Sequence, residues 1–132
     1  PLENPGSITS FADIQGNKLA VCSRVVPCGS LSYAFAERED IQLKPASMEP
    51  SVRSVRTKVE LGEVDAGLIY RTDVTAKMEV IDIPELATLK TMYPIAVLKP
   101  AELTAKRFMD FVLSESGQAI LNNYGFGRPY EN

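Results

Sequence analysis

Apolar and polar residues alternate along the chain in short blocks whose lengths suit strands and helices in turn. The apolar block Lys18–Cys22 is typical of a buried strand, and Ala66–Tyr70 is a second such block. Two later blocks, Val80–Ile83 and Tyr93–Leu98, are also predicted to be strands, each with a proline close behind its end. The pattern therefore predicts a sheet built from several short strands.

Helical periodicity fills the segments between these strands. Val52, Val55 and Val59 recur at helical spacing and predict a helix over Ser51–Gly62, with Gly62 at its carboxyl end. Other helices are predicted over Ser10–Ile14, Ser30–Arg38, Val74–Lys77, Ala105–Leu113 and Gln118–Asn123, with Pro45–Pro50 as a connection. Because strands and helices alternate, we expect an α/β fold in which a mixed or parallel sheet is flanked by helices in three α/β/α layers.

Length and composition are compatible with one domain or slightly less. The chain has 132 residues, of which 45% are apolar, so it can bury a core. Its net charge of -3 argues against a nucleic-acid partner, which favours a basic face. No apolar run is long enough to span a bilayer. The chain starts at Pro1 as if trimmed, so the sequence leaves open whether a leader segment precedes it.

The residue types limit the chemistry. There is no histidine, and the two cysteines, Cys22 and Cys28, cannot alone complete a thiolate zinc site, so we expect no enzyme activity, no metal and no cofactor. In an oxidising compartment the two cysteines could form a disulfide, whereas in a cytosol they would stay reduced. Alternatively, Cys28 is simply a small residue whose N–H approaches a ligand.

The segment Val26–Ser30 follows a predicted strand and opens a predicted helix, which is the arrangement of an anion site. A second helix begins at Ser51-Val52, and Tyr70 ends a predicted strand. In α/β sheets such positions meet at the carboxyl edge, where ligands bind. Each position also has an ordinary structural interpretation. If they converge, Cys28, Val52 and Tyr70 form one pocket.

Several motifs together resemble the periplasmic molybdate-binding proteins of ABC importers. They are the Val26-Pro27-Cys28-Gly29 turn, the Ser51-Val52-Arg53 helix start, the segment Val64–Asp73, the strand Tyr93–Val97 and the ending Ser116–Leu121 with Tyr124-Gly125-Phe126. Each motif alone is weak, but their combination in this order is fairly specific and covers nearly the whole chain.

The resemblance implies two α/β lobes of the type II periplasmic-binding-protein kind, with an oxyanion held between them by neutral donors. Carried over to this chain, Cys28 and Val52 would offer backbone N–H groups and Tyr70 its phenol. Molybdate or tungstate would be the ligand and an ABC permease the partner of the full-length protein. The location would be periplasmic or extracellular, with a lipid anchor as one alternative.

The chain departs from the family pattern because the serine-bearing first lobe has no counterpart. We expect residues 1–91 to form the second, inserted lobe and residues 92–132 to form a returning hinge strand and carboxyl-terminal helices. The fold would thus be incomplete and would supply about half of a binding site. Phe108, Met109, Phe111 and Val112 would be exposed unless the chain dimerises through these helices or its carboxyl-terminal segment repacks.

Two alternatives stay open at the level of the sequence. The ligand could be sulfate, phosphate or an organic acid, because pocket size decides among small anions. The chain could also be the anion-sensing effector domain of a transcriptional regulator, since such domains share this bilobal fold.

Overall fold

The computed structural model describes residues 1–100 and 103–129. It divides into two compact units, Pro1–Lys90 and Thr91–Asn132, which are called the first and second unit below. Of the predicted segment 92–132, residues 101–102 and 130–132 lie outside the described part.

The first unit is built on three short parallel strands. They are β1 (Leu19–Cys22), β2 (Ser47–Glu49) and β3 (Ala66–Gly67), in the order β2-β1-β3. Both neighbours of β1 run parallel to it, with Ala20 opposite Ser47 on one side and opposite Gly67 on the other. The predicted α/β class is therefore confirmed. Among the described residues the sheet is parallel, one of the two types expected, and not mixed. Each crossover between these strands contains a helix, which is the connection that parallel strands require.

Helix α1 (Pro27–Arg38) connects β1 to β2, and helix α2 (Val52–Glu60) connects β2 to β3. Alternate residues of β1 point to opposite faces of the sheet, so each face has its own apolar cluster. The first cluster contains Leu19 and Val21 of β1, with its other buried members Ile8, Phe11, Ile14, Tyr33, Phe35, Ala36 and Ile83. The second cluster contains Ala20 and Cys22 of β1, with Cys28, Val55, Val59, Val64 and Met78. The sheet thus has α1 side chains mainly on one face and α2 side chains on the other.

Several boundaries differ from the predictions. Helix α1 begins at Pro27 rather than Ser30, because proline at the first helical position is already set to helical φ and needs no N–H partner. A 3₁₀ turn at Arg71–Asp73 replaces the short helix expected over Val74–Lys77. Only Ala66–Gly67 of the expected strand Ala66–Tyr70 pairs with a neighbour.

The predicted strands Val80–Ile83 and Tyr93–Leu98 form no ladder in the described structure. Ile81 and Ile83 nevertheless pack on the first cluster. An apolar side chain can pack on a core without its backbone pairing with another strand. The apolar signal of Val80–Ile83 thus reflects the packing of Ile81 and Ile83, whereas Val80 and most of Tyr93–Leu98 are exposed.

The second unit contains helices α3 (Leu103–Leu113) and α4 (Glu115–Asn123) joined by a one-residue corner. Ser114 caps α4, since its hydroxyl accepts a hydrogen bond from the Gly117 N–H at 3.3 Å. The Gln118 side-chain amide donates to the Val112 carbonyl at 2.7 Å, which ties the start of α4 to the end of α3. Phe108 and Phe111 of α3 remain exposed, whereas Met109 and Val112 are half-buried.

Candidate functional site

The carboxyl ends of the three parallel strands meet at one edge of the sheet. Helix α1 begins five residues after β1 ends, α2 begins three residues after β2 ends, and Tyr70 follows β3 by three residues. The sheet topology therefore brings Cys28, Val52 and Tyr70 to the same edge, which is where ligands bind in open parallel sheets.

The first turn of α1 leaves backbone donors available. Val26 is the residue before the helix, Pro27 has no N–H, and the first helical hydrogen bond runs from the Ser30 N–H to the Val26 carbonyl at 2.9 Å. Helix geometry therefore leaves the N–H groups of Cys28 and Gly29 without a partner inside the helix. No acidic side chain occupies this first turn, so no carboxylate of the helix itself competes for these donors.

A disulfide joins Cys22, the last residue of β1, to Cys28 in the first turn of α1. The two Cα atoms lie 5.8 Å apart, within the usual range for a disulfide. Both residues are buried in the second cluster. The thiol of Cys28 is therefore not free to act as a nucleophile, and what this residue presents at the sheet edge is its backbone.

The start of α2 also leaves backbone N–H groups without partners inside the helix. The Ser51 hydroxyl accepts a hydrogen bond from the Ser54 N–H at 3.2 Å, which leaves the N–H groups of Val52 and Arg53 without helical partners. Again no acidic residue lies in the first turn. The aligned peptide dipoles favour negative charge at such a helix end.

Tyr70 is half-buried and immediately precedes the 3₁₀ turn Arg71–Asp73. Tyr70 and Val52 both pack against the second cluster, of which Cys28 is a buried member. The structure thus brings all three sequence-predicted residues together around one apolar cluster. Their role in binding stays a prediction.

Two arginines close to these positions in the sequence are paired with carboxylates. Arg24 lies 3.0 Å from Glu37 and stacks over the Tyr33 ring with its guanidinium 3.8 Å from the ring centre. Arg71 lies 2.7 Å from Asp82. These two guanidinium groups are therefore already engaged with acidic side chains.

Lys58, further along α2, is also paired. It donates a hydrogen bond to Glu63 at 3.0 Å, and this bond raises the pKa of Lys58. Glu49, the last residue of β2, lies 3.8 Å from the same ammonium group.

A cavity of about 220 Å³ lies away from the candidate residues. It is lined by Ile14, Gln15, Gly16, Leu19, Gln42, Leu43 and Lys44. Leu19 is the first residue of β1, so this cavity lies at the amino end of the strand and none of the three candidates contributes to it.

Within residues 1–100 and 103–129, no group of three or more cysteine, aspartate or glutamate side chains is placed to hold a metal ion. In the same part of the chain, no helix has the length and apolar character needed to cross a membrane.

Comparison with known proteins gives the family. Residues 1–127 match the family model of the bacterial extracellular solute-binding proteins. The chain belongs to this family. The resemblance drawn from the motifs is confirmed. The family and the relatives below are binding proteins, which at family level indicates a protein without enzymatic activity.

Two groups of relatives of this solute-binding chain are informative. The molybdate-binding protein ModA of Mycobacterium tuberculosis is 39% identical over 133 residues, which covers 96% of this chain and 51% of the relative, and ModA of Mycobacterium bovis matches equally well. A putative ABC transporter substrate-binding lipoprotein, YvgL of Bacillus subtilis, is 34% identical over 136 residues, and the match covers 52% of the length of YvgL. The chain thus spans about half the length of these curated relatives. No solved structure matches it significantly.

Two residues that shape the site were not singled out from the sequence. A Cβ atom on Gly29 would lie 1.9 Å from the Ser23 carbonyl oxygen, and one on Gly67 would lie 2.7 Å from a Val59 methyl group. The signal for Gly67 was present, because glycine inside an apolar strand often marks a close approach of another element. Gly29 follows Cys28 in a turn motif, where glycine has many ordinary explanations.

Proposed function

We propose that this chain is part of an extracytoplasmic solute-binding protein that captures molybdate, or the similar anion tungstate, for an ABC importer. The observation that carries the proposal is the 39% identity to ModA over 96% of the chain. The relatives named above are called molybdate-binding proteins or a transporter's substrate-binding lipoprotein, and neither name is that of a transcriptional sensor or a sulfate-binding protein.

The geometry of the first unit supports an oxyanion ligand. In the proposal, the Cys28 and Val52 N–H groups and the Tyr70 hydroxyl bind the oxygens of a tetrahedral dianion. One helix start contributes only about 0.3–1 kcal/mol through its dipole, so several donors must converge. Hydrogen bonds to a charged acceptor are stronger than neutral ones, and a set of neutral donors can therefore hold a dianion.

The proposed architecture is one lobe of a type II periplasmic-binding-protein fold, with a helix on each face of its sheet. Residues 1–91 would form the ligand-binding lobe, and residues 92–132 would form the returning hinge strand and carboxyl-terminal helices. The division into units at Lys90 and Thr91 supports this assignment. The remaining oxyanion donors would come from a first lobe outside these residues.

The proposed location is periplasmic or extracellular, with a lipid anchor as in the lipoprotein relative and an ABC permease as partner. The disulfide between Cys22 and Cys28 supports an oxidising compartment. The exposed Phe108 and Phe111 would be covered by the first lobe or, in its absence, by a second copy of the chain. Sedimentation velocity tests the second possibility, because it distinguishes a monomer from a dimer of the chain.

Isothermal titration calorimetry tests the ligand. The protein is purified as its own cells produce it and titrated with molybdate, tungstate, sulfate and phosphate. We expect tight binding of the first two and weak binding of the others. A preference for sulfate, or no heat with any of the four anions, contradicts the proposal.

The Tyr70→Phe variant tests the site. Removing one hydrogen bond to a charged ligand should weaken molybdate binding about 10-fold or more. Tyr124→Phe is the matched control, because Tyr124 is 71% exposed in the second unit and plays no part in the proposed site. If both variants bind like the unaltered protein, Tyr70 is not a ligand.

A further inference from the structure

The start of α1 and the end of β1 are in closer contact than a side chain would allow. A Cβ atom on Gly29 would lie 1.9 Å from the Ser23 carbonyl oxygen and 2.6 Å from that of Cys22. Both neighbours are backbone atoms, which cannot move aside as a flexible side chain can. Glycine at this position is therefore a requirement of how α1 sits on the strand.

The disulfide forms a second link at the same place. Cys28 is bonded to Cys22, and the next residue, Gly29, touches Ser23, the residue after Cys22. A third contact runs from the Val26 N–H to the Ser23 carbonyl at 3.2 Å. Three adjacent contacts thus fix the first turn of α1 on the end of β1.

The same residue connects this turn to the start of α2. The Ser23 N–H donates to the Glu49 carbonyl at 2.7 Å, and Glu49 lies two residues before Ser51, which caps α2. Through the Ser23 backbone, the position of the Cys28 amide is set relative to that of the Val52 amide.

From these contacts we infer that the Cys22–Cys28 disulfide and Gly29 are positioning residues of the oxyanion site, fixing the Cys28 amide relative to the Val52 amide. The inference rests on the proposed function. Neutral donors bind a tetrahedral anion well only when they are held in the required geometry beforehand, because ordering them on binding costs affinity.

A purely stabilising role explains the disulfide less well. The bridge closes a loop between residues only six apart in sequence, and the entropic stabilisation from a disulfide grows with loop length. Cys28 also lies among the first N–H groups of a helix, so the bridge acts on the donor itself.

The test compares two variants in the protein as its own cells produce it. In Cys22→Ala/Cys28→Ala the bridge is removed, and in the control, Phe35→Leu, a side chain of the opposite cluster is shortened. We expect the cysteine variant to bind molybdate about 10-fold more weakly or worse. The control should change affinity less than about 3-fold at a comparable loss in melting temperature. If the alanine pair does not fold, Cys22→Val/Cys28→Ala refills the buried volume.

Amide hydrogen exchange gives a readout that needs no ligand. Without the bridge, the Ser30 amide, which donates the first hydrogen bond of α1, should exchange faster in the absence of any anion, while the Ser54 amide at the start of α2 changes little. Gly29→Ala should also weaken molybdate binding, whereas Gly127→Ala, where a Cβ meets nothing within 4 Å, should not.

The outcomes separate the two proposals. If the unaltered protein binds no oxyanion, the proposed function fails, and the exchange experiment still reports on positioning. If it binds molybdate and the bridge-free variant binds equally well with unchanged exchange, the positioning role is wrong. Two free thiols in the mass of the native protein would also overturn it.

Discussion

At the scale of single residues, Gly67 sets how closely α2 packs on the sheet. A Cβ atom there would lie 2.7 Å from a methyl group of Val59 and 2.8 Å from one of Val55. Both valines are buried in the second cluster, beneath the candidate site. Glycine at position 67 of β3 therefore allows α2 to pack closely on the sheet, and this packing helps to position the start of α2.

We expect Gly67→Ala to destabilise the first unit by about 1–3 kcal/mol, the usual cost of overpacking a dense core. Urea unfolding followed by circular dichroism measures the loss. In the Gly67→Ala/Val59→Ala double variant the nearer of the two conflicting methyl groups, that of Val59, is gone, so its loss should be smaller than the sum of the two single losses. Strict additivity would contradict the contact.

Asp13 illustrates a local electrostatic effect near the amino terminus. Its carboxylate accepts hydrogen bonds from the Thr9 N–H, the Thr9 hydroxyl and the Ser10 N–H, at 2.8–2.9 Å. These bonds, the one from the Thr9 N–H above all, lower the pKa of Asp13 to about 2. They cap the short 3₁₀ helix Phe11–Ile14.

A depressed pKa in the folded state means that the charged form is favoured by folding. The contribution of Asp13 to stability is therefore present above its ordinary pKa, near 3.8, and is lost as the pH falls through about 2. An NMR titration of the Asp13 carboxyl carbon should show a midpoint near pH 2. Asp13→Asn should remove stability at neutral pH and flatten its acid dependence, whereas Glu79→Gln, at an exposed carboxylate of the same unit, should not.

At the scale of elements, the sequence predicted those with a strong local signal. Helix α2 was expected over Ser51–Gly62 with the glycine at its carboxyl end. The helix covers Val52–Glu60, Ser51 caps its start, and Gly62, with φ of +67°, follows its end. Strand β1 was expected from the apolar run Lys18–Cys22, and all four of its residues are buried, as is usual for a central strand of a parallel sheet.

The elements that the sequence missed depend on distant partners. Strand β2 was assigned to the connection Pro45–Pro50, since Ser47-Met48-Glu49 is short, polar and bounded by prolines. It is a strand only because β1 offers it a hydrogen-bonding edge. For the candidate site, the sequence could name Cys28, Val52 and Tyr70, but the close contact of Gly29 with Ser23 depends on a fold-level distance that no local pattern encodes.

The cap of α2 can be tested as an element. Ser51→Ala removes the acceptor for the Ser54 N–H and should cost about 1 kcal/mol of stability. Ser116→Ala, at an exposed serine inside α4, is the control and should cost much less. Equal losses in denaturant unfolding would mean that the Ser51 hydroxyl contributes little.

At the scale of the whole molecule, the two units have unequal structural support. The first unit has a sheet with an apolar cluster on each face, whereas the described part of the second contains α3 and α4 with exposed aromatic side chains. Tyr93 and Phe126 are in edge-to-face contact within the second unit, with ring centres 5.7 Å apart. All three candidate residues belong to the first unit, so the proposed donors of this chain come from that unit alone.

We therefore expect the 132-residue chain by itself to bind molybdate weakly. The chain spans about half of its relatives, and an oxyanion bound at its sheet edge would meet donors from one side. Each missing hydrogen bond to a charged ligand is worth about 1.5–3 kcal/mol, so losing two of them weakens binding by about 100-fold or more. Calorimetry with molybdate on the 132-residue chain and on the protein as its cells make it measures this ratio, with thermal unfolding as the check that the shorter chain is folded. Sub-micromolar binding by the 132-residue chain would show that one lobe suffices.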